Sequence, residues 1–276
     1  MTRPNQATRY LNPRKPRFAP ANPAWYFAGK SVELVLGLLK RLRRGREIRR
    51  HTHLSRDIYQ TYGDWEMEVY ERGGRWTWVQ GRMAMATFRD IRAANLAPVI
   101  AEIASLQQAN PERPVRVLEV GCGNGTNLMI LRDHFGDGVA LTGVDIATER
   151  LRRGQAYWGA RLDGVTLTED SALTLATQGD GSADLVFSVH CLEQLPYHVT
   201  ACVTAMARVS ADRIVWVEPV WEFANTTQRL YALLGDQLRT LLPEVQASGL
   251  RIISTEPMGT LANPLNRSGV IIAARV

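Results

Sequence analysis

The stretch VRVLEVGCGNGTNL, from Val115 to Leu128, decides the fold of this 276-residue chain. Its first half is an apolar, β-branched run typical of a buried strand, and its second half favours a helix. Three glycines stand between them in the spacing GxGxG. Glycine lets the backbone turn sharply and approach a ligand, and the helix that follows offers free N–H groups. We therefore expect a strand, a ligand-binding turn and a helix in this order.

Downstream of this stretch, short apolar runs alternate with helical stretches. Alternation of this kind predicts a mostly parallel sheet covered by helices on both faces. In such sheets, ligands bind outside the carboxyl ends of the strands. The predicted strands are Val115–Val120, Val139–Val144, Val165–Leu167, Ala183–Val189, Arg213–Val217, Leu250–Ser254 and Gly269–Ala274.

Two acidic residues follow the next strands at positions that suit a nucleoside. Asp145 closes the second predicted strand, 20 residues after Gly125, where a carboxylate can accept both hydroxyls of a ribose. Asp170 comes just after the third strand, where it can accept an adenine amino group. The NAD fingerprint is GxGxxG, and here the third glycine comes one residue earlier, which disfavours a nicotinamide dehydrogenase.

Four segments in order resemble the class I S-adenosylmethionine-dependent methyltransferases over about Val115 to Val276. They are VLEVGCGNG, GVD, EDSA and ADLVFSVHCLEQLP, the last with Gln194 where the family more often has histidine. The resemblance implies an α/β, Rossmann-like, seven-stranded and mostly parallel sheet with helices on both faces. It also implies S-adenosyl-L-methionine as cofactor and S-adenosyl-L-homocysteine as product.

The resemblance also implies which residues hold the cofactor. The glycine loop would flank its methionine part, Asp145 its ribose and Asp170 its adenine, and the end of the fourth strand would lie beneath the methyl group. The predicted cofactor residues are Glu119, Gly121, Cys122, Gly123, Asn124, Asp145, Ile146, Asp170, Ser171, Ser188, Val189 and His190.

Methyl transfer from a sulfonium mostly requires alignment and exclusion of water, and a base only where the acceptor is a weak acid. His190 is the best candidate base because it follows the fourth strand directly; it could instead only shape the pocket. Glu218 follows the fifth strand and either borders the acceptor pocket as a second catalytic candidate or is a solvated carboxylate. SVHC differs from the Asn/Asp-Pro-Pro-aromatic loop of amide and nucleobase methyltransferases. We therefore expect a small-molecule or lipid- or glycan-linked acceptor, with O-methylation favoured.

The residues before the glycine loop predict an extension in two parts. Residues 1–30, rich in proline, predict an extended arm, and residues 31–112 a mainly helical and aromatic lid, ahead of the domain at 113–276. Within the lid we expect a hairpin of Glu66–Arg72 with Arg75–Val79, and a helix over Met83 to Gln108 interrupted near Pro98. Candidate acceptor-binding side chains, from the lid and the later loops, are Tyr59, Tyr62, Trp65, Tyr197 and Trp221.

Charge is unevenly distributed. Residues 1–60 hold 14 Lys/Arg against 3 Asp/Glu, a net charge of +11, whereas the remainder carries −5. The predicted helix over 31–50 is amphipathic with a basic end, so it either packs on the body, which we favour, or contacts an anionic membrane surface. Alternative functions are a non-catalytic scaffold that keeps the nucleoside site, or an RNA methyltransferase using the basic arm. Nucleic acid is not favoured because no RNA-binding module is recognisable.

The cysteines, the N-terminal residues and the histidines indicate where the protein is located and whether it binds a metal. Its three cysteines form no CxxC pair, so we expect reduced thiols. Residues 1–19 are polar and rich in Pro and Arg, with no apolar run typical of a signal peptide, so we expect no signal peptide and a cytoplasmic location, with the inner membrane surface as the alternative. His51 and His53 do not share a helical face, and no metal is expected.

Overall fold

The computed structural model describes residues 74–79, 82–235 and 237–275, together with six helical positions nearer the N-terminus. Those six are Ala28, Ser31, Val32, Val35, Leu36 and Leu39. Among the described residues, no helix combines the length and the apolar content needed to cross a bilayer.

The ordered elements follow one another along the chain as strands separated by helices. The strands are β1 (Gly74–Val79), β2 (Arg82–Thr87), β3 (Val115–Val120), β4 (Val139–Asp145), β5 (Val165–Glu169), β6 (Ala183–Val189), β7 (Ser210–Pro219), β8 (Arg251–Pro257), β9 (Thr260–Leu261) and β10 (Ser268–Ala274). The helices are α1 (Phe88–Ala109), α2 (Thr126–Phe135), α3 (Thr148–Trp158), α4 (Val199–Val209), α5 (Thr226–Gly235) and α6 (Leu241–Ala247).

Seven strands form one sheet in the order β5-β4-β3-β6-β7-β10-β8. The pairs among β5, β4, β3, β6 and β7 are parallel, and β10 is antiparallel to both of its neighbours. The predicted seven-stranded, mostly parallel sheet is therefore confirmed; six predicted strands lie within observed ones, and the predicted strand Leu250–Ser254 starts one residue before β8. The carboxyl ends of β3, β4, β5 and β6 meet at one edge, which is where a ligand site is expected.

Alternating side chains of the central strands bury the two faces of the sheet. Leu185 and Phe187 of β6 pack with residues of α1 and α2, whereas Val186 packs with residues of α4 and α6. Strands with two buried faces read as continuous apolar runs, because both sets of alternating side chains leave water. This is why β6 is apolar along almost its whole length.

The hairpin differs from the prediction. β1 pairs with β2, with Trp76 opposite Met85, and with β9 on its other side. Gly74 is therefore part of a strand and not of the turn, and the predicted partner strand, Glu66–Arg72, lies outside the described residues. The tie to β9 joins residues about 180 positions apart, which local turn residues cannot reveal.

The helix predicted from Met83 begins instead at Phe88. Thr87 caps it: the Thr87 hydroxyl accepts the backbone N–H of Asp90 at 3.1 Å, and the Asp90 carboxylate accepts the Thr87 N–H at 3.2 Å. This capping box fixes the start of the helix and leaves Met83 to the hairpin. α1 then continues through Pro98, with Leu96 and Val99 beside it fully buried in the core of the sheet. α1 thus shares a core with the sheet, although the sequence analysis assigned it to the lid.

Asp184, at the amino end of β6, binds Arg113 and Arg116 at the amino end of β3. These contacts lie at the end of the sheet opposite the ligand site. The Asp184 carboxylate accepts hydrogen bonds from the guanidinium of Arg113 at 2.6 Å and from that of Arg116 at 2.7 Å, and also from the Arg116 backbone N–H at 2.9 Å. Burial would raise the pKa of Asp184, but the hydrogen bonds from the two arginines outweigh burial and hold it well below its usual range.

We predict that Asp184→Asn lowers the free energy of unfolding at neutral pH by about 1–3 kcal/mol, since the variant loses both ion pairs of a buried carboxylate. A carboxylate whose pKa is depressed on folding stabilises the folded state. This stabilisation is fully present above the unfolded-state pKa of about 3.9 and is lost as the pH falls below that value toward the folded-state pKa. The difference between variant and wild type should therefore shrink below about pH 4 in denaturant titrations. Asp133→Asn, which removes the exposed ion pair with Arg161, is the control and should cost less than about 1 kcal/mol. Equal effects of the two variants would contradict the role of Asp184.

Candidate functional site

A cavity of about 260 Å³ opens at the carboxyl edge of the sheet. Its walls come from the glycine loop, from the ends of β4 and β6, from the segment after β5 and from the first turns of α1 and α3. The lining residues are Phe88, Ile91, Arg92, Asn95, Glu119, Gly121, Cys122, Asn124, Asn127, Val144, Asp145, Ile146, Arg150, Asp170, Ser171, Ala172, Leu173, Val189, His190, Cys191, Glu193, Gln194 and Leu195.

The glycine loop is fixed against its neighbours by its backbone. The N–H groups of Gly121 and Cys122 both donate to the carbonyl of Val144, at 2.8 and 3.0 Å. Gly121 has a φ of +77°, and a Cβ atom placed on it would overlap the Sγ and Cβ atoms of Cys191. Only glycine combines this backbone conformation with so close an approach between the two loops.

Glu119 places a buried carboxylate in the wall of the cavity. Its Oε1 accepts a hydrogen bond from Asn127 Nδ2 at 2.6 Å, whereas its Oε2 has no hydrogen-bond partner in the part of the chain that the structure describes. Burial raises the pKa of Glu119 to about 7, against the opposing hydrogen bond from Asn127 and the charge of Arg92. The open acceptor atom suits a cationic or N–H-bearing group of a ligand.

Asp145, at the end of β4, organises the turn around it. Its two oxygens accept the backbone N–H groups of Gly123 and Ala147, each at 2.8 Å, and the guanidinium of Arg150 lies 3.7 Å from Oδ2. A carboxylate has about four acceptor positions, so capacity remains for hydroxyl donors from the cavity. This is consistent with the expected position of a ribose.

Asp170 is used mainly by its own loop. Its carboxylate accepts the backbone N–H groups of Ser171, Ala176 and Thr177 and the Thr177 hydroxyl, at 2.6 to 3.1 Å. Because these four donors use the usual acceptor capacity of a carboxylate, the side chain has little left for an adenine amino group. Asp170 shapes the wall on this side of the cavity by holding the backbone from 171 to 177.

His190 lies in the cavity wall between two polar groups. Its φ is +52°, its Nδ1 is 3.3 Å from Glu193 Oε2 and its Nε2 is 3.4 Å from Ser268 Oγ. Asn266 also donates to Glu193 Oε2, at 2.8 Å, and so orients that carboxylate. Burial would lower the pKa of His190, but the charge and hydrogen bond of Glu193 and the charge of Glu218 outweigh burial, and the pKa is raised above its ordinary value.

Glu218 lies behind this wall and not in it. Its fully buried carboxylate accepts the hydroxyl of Ser188 at 2.9 Å and the backbone N–H groups of Cys191 and Leu192 at 2.9 and 3.0 Å. Burial raises the pKa of Glu218 to about 7. The carboxylate therefore holds the loop that carries His190, a position that does not suit a group acting on the reacting atoms.

The cavity brings together ten of the twelve residues predicted to contact the cofactor. The two exceptions are Gly123 and Ser188, which do not line it. Neither Tyr197 nor Trp221 lines it either; Trp221 lies instead beneath the guanidinium of Arg229. The remaining predicted acceptor-binding residues, Tyr59, Tyr62 and Trp65, lie outside the described residues.

The sequence analysis did not single out the wall that α1 contributes. Phe88, Ile91, Arg92 and Asn95 line the cavity, and their spacing of three and four places them on one face of the helix. The capping box at Thr87 and this spacing were the available signals. Arg92 Nη1 donates to Asn127 Oδ1 at 3.1 Å and so ties α1 to the glycine-loop side.

Part of the sequence matches a known protein family, and the fold resembles solved structures. Residues 117–212 match a family model described as a methyltransferase domain. Comparison with curated proteins gave no match. Magnesium protoporphyrin IX methyltransferase from Synechocystis PCC 6803, solved with S-adenosylhomocysteine, is 17% identical, covers 80% of this chain and 98% of its own, and has a TM-score of 0.53.

Two further solved structures share the fold at similar similarity. A protein from Galdieria sulphuraria, named as a sarcosine dimethylglycine methyltransferase, is 16% identical over 68% of this chain and 87% of its own, with a TM-score of 0.52. The (4+2)-cyclase SpnF is 16% identical over 66% and 80%, with a TM-score of 0.51. At these identities the likeness shows the fold alone.

The strand order and the glycine-loop cavity define a Rossmann-like nucleoside-binding protein. Because residues 117–212 match a methyltransferase domain, the resemblance to the class I S-adenosylmethionine-dependent methyltransferases seen in the sequence is confirmed over that part of the chain. S-adenosylmethionine is the cofactor of this class. The residues that line the cavity fit this cofactor. Glu119 Oε2 is a buried acceptor with no hydrogen-bond partner among the described residues, and Gly121 has no Cβ atom to block a close approach of the ligand.

We predict that Gly121→Ala lowers the affinity for S-adenosylhomocysteine at least about tenfold in calorimetry, because the new Cβ atom must displace Cys191 from the cavity wall. Gly249→Ala is the matched control, since Gly249 has a φ of +78° and open space around its missing Cβ atom. Both variants incur the strain of a left-handed backbone, about 1–2 kcal/mol of unfolding free energy, but only Gly121→Ala should lose affinity. Wild-type affinity of Gly121→Ala would contradict the close approach of the two loops.

Proposed function

We propose that the protein transfers the methyl group of S-adenosylmethionine to a small-molecule or lipid- or glycan-linked acceptor, most readily to an oxygen atom. The observation that carries the proposal is one cavity that is lined both by nucleoside-type acceptors and by His190 with a face of α1 that includes the apolar side chains Phe88 and Ile91. Fold relatives named for methylating sarcosine and magnesium protoporphyrin support a small-molecule acceptor.

The proposed roles on the cofactor side rest on two features: carboxylate oxygens that can accept further hydrogen bonds, and residues that form the cavity wall. Asp145 has acceptor capacity for ribose hydroxyls, and Glu119 Oε2 can accept the ammonium of the methionine part. Ile146 and the backbone of Ser171 offer the two sides of an adenine slot, with Asp170 holding the loop in shape. When bound, S-adenosylmethionine supplies a methyl group activated by a cationic sulfur.

On the acceptor side, α1 provides the wall. Phe88 and Ile91 offer apolar contact, and Arg92 and Asn95 lie on the same helix face. An apolar surface with a few fixed polar groups holds an acceptor in one orientation, which is what an in-line displacement needs. The aromatic residues Tyr59, Tyr62 and Trp65 remain candidates for a lid over this opening.

His190 is proposed as the base for a weakly acidic acceptor. With the Nδ1–H donating to Glu193, the Nε2 lone pair, which lies 3.4 Å from Ser268 Oγ, would accept the proton of the acceptor hydroxyl. The proton of the hydroxyl would pass to Nε2 while the oxygen forms its bond to the methyl carbon and the bond from that carbon to the sulfonium sulfur breaks, which would leave S-adenosylhomocysteine. Glu193 acts as a positioning residue, and Glu218 positions the loop through the N–H groups of Cys191 and Leu192.

The proposed function is tested by supplying S-adenosylmethionine with cell extract and candidate hydroxyl acceptors. We expect a product heavier by about 14 Da, the mass of the added methylene, in mass spectrometry with the wild type. Asp145→Asn should bind S-adenosylhomocysteine at least about tenfold more weakly, because the amide replaces an acceptor by a donor. The wild type should discriminate against the 2′-deoxy analogue, and Asp145→Asn should not.

Two outcomes would contradict parts of this proposal. Equal discrimination by the wild type and Asp145→Asn would remove Asp145 from ribose binding. Tight cofactor binding with no methylated product from any extract would favour the non-catalytic scaffold instead.

We predict a pH dependence that separates His190 from its partner. Because the pKa of His190 is raised, the base form prevails only above the ordinary value of about 6.5, and kcat/KM should rise through that higher pKa. Glu193→Gln removes the charge that raises the pKa, so the rise should move to lower pH while the plateau falls by about tenfold. Glu222→Gln, at an exposed carboxylate, should leave the profile unchanged.

The same profiles test each residue by itself. A His190→Asn variant with the wild-type rate at every pH would exclude His190 as the base. An unmoved inflection in Glu193→Gln would exclude Glu193 as the group that sets the protonation of His190.

A further inference from the structure

An apolar helix face near the N-terminus is exposed. Val32 and Val35 are each 56% exposed, Leu36 is 49% and Leu39 is 46% exposed. The sequence favours a helix packed on the body, but about half of each of these side chains remains exposed. We call five helical positions, spaced by three, four or seven residues, the N-terminal apolar face: Ala28, Val32, Val35, Leu36 and Leu39.

A strongly basic stretch follows this face directly. Residues 40–50 contain seven Lys/Arg and one Glu. An exposed apolar helix face next to a cationic stretch is the arrangement of helices that lie in a membrane interface, where the apolar side chains enter the acyl boundary and the cations contact anionic headgroups. We propose that the N-terminal apolar face docks on an anionic lipid surface.

The chemistry of the face favours lipid over other occupants. Nucleic acid binds cationic side chains through its phosphates and offers no apolar surface to a row of valine and leucine. A second copy would bring two segments of net charge +11 together, and these repel one another. An anionic bilayer satisfies both the apolar side chains and the positive charge.

This inference goes beyond the proposed function, because none of the residues of the N-terminal apolar face lines the cavity. Methyl transfer to a water-soluble acceptor therefore does not depend on it. Loss of lipid binding with transfer intact, and loss of transfer with lipid binding intact, are distinguishable results.

The full chain is tested by co-sedimentation with vesicles of phosphatidylcholine alone or mixed equally with phosphatidylglycerol. We expect the wild type to bind the mixed vesicles and not the neutral ones, and to be released as salt is added. Leu36→Asp should lower the bound fraction by about tenfold, since it places a charge in the apolar face. Leu230→Asp is the matched control: Leu230 is a helical leucine of α5 that is 47% exposed, and its variant should bind like the wild type.

Each contrary result overturns the proposal in an identifiable way. Absence of binding to mixed vesicles, or equal loss in Leu36→Asp and Leu230→Asp, excludes the N-terminal apolar face as a lipid-docking surface. A lower melting temperature of Leu36→Asp without lipid would show that the face packs on the body. A wild-type dimer in analytical ultracentrifugation that Leu36→Asp dissociates would assign the face to a second copy. RNA binding unchanged by Leu36→Asp, without vesicle binding, would assign the basic stretch to nucleic acid.

Discussion

The close approach of two loops, at Gly121 and Cys191, is the constraint on which the site depends. The first loop is tied to β4, because two of its N–H groups donate to the carbonyl of Val144. The second is tied to β7, because the carboxylate of Glu218 accepts three consecutive N–H groups, those of Cys191, Leu192 and Glu193. Hydrogen bonds from the loop backbones therefore set the distance between the two loops. The positions of the loop side chains depend on the strands to which the loops are tied.

Glu218 has a second effect, on the acidity of the site. Burial is the largest influence on its pKa and raises it to about 7, whereas the hydrogen bonds from the loop favour the ionised form. The ionised form in turn raises the pKa of His190, as Glu193 does from the other side. The carboxylate that holds the loop thus also influences the proton affinity of the histidine that the loop carries, so loop geometry and basicity are coupled.

Much of this molecule could be predicted from the sequence, since strand runs, glycine spacing and strand-end acids are local signals. The seven strands and the position of Asp145 follow from them. The uses of Asp170 and Glu218 do not, because their acceptor capacity is taken by backbone N–H groups whose positions depend on the folded loops. β2, most of which was predicted as helix, was missed for a similar reason. It pairs with β1, and β1 pairs in turn with the distant strand β9.

Arg92 shows how the two sides of the cavity depend on one another. Its guanidinium donates to Asn127, whose amide donates in turn to Glu119, so a hydrogen-bonded chain runs from α1 to the end of β3. Burial is the largest single influence on both pKa values: it raises that of Glu119, whereas its lowering of the pKa of His190 is outweighed by Glu193 and Glu218, and the charge of Arg92 lowers both. The charge of Arg92 therefore offsets part of the rise in the pKa of Glu119, which favours the anion that an ammonium partner requires, and part of the rise in the pKa of His190, which favours the neutral form that a base requires. One cation on α1 therefore favours the working protonation state on both sides, which explains why a helix before the glycine loop belongs to the site.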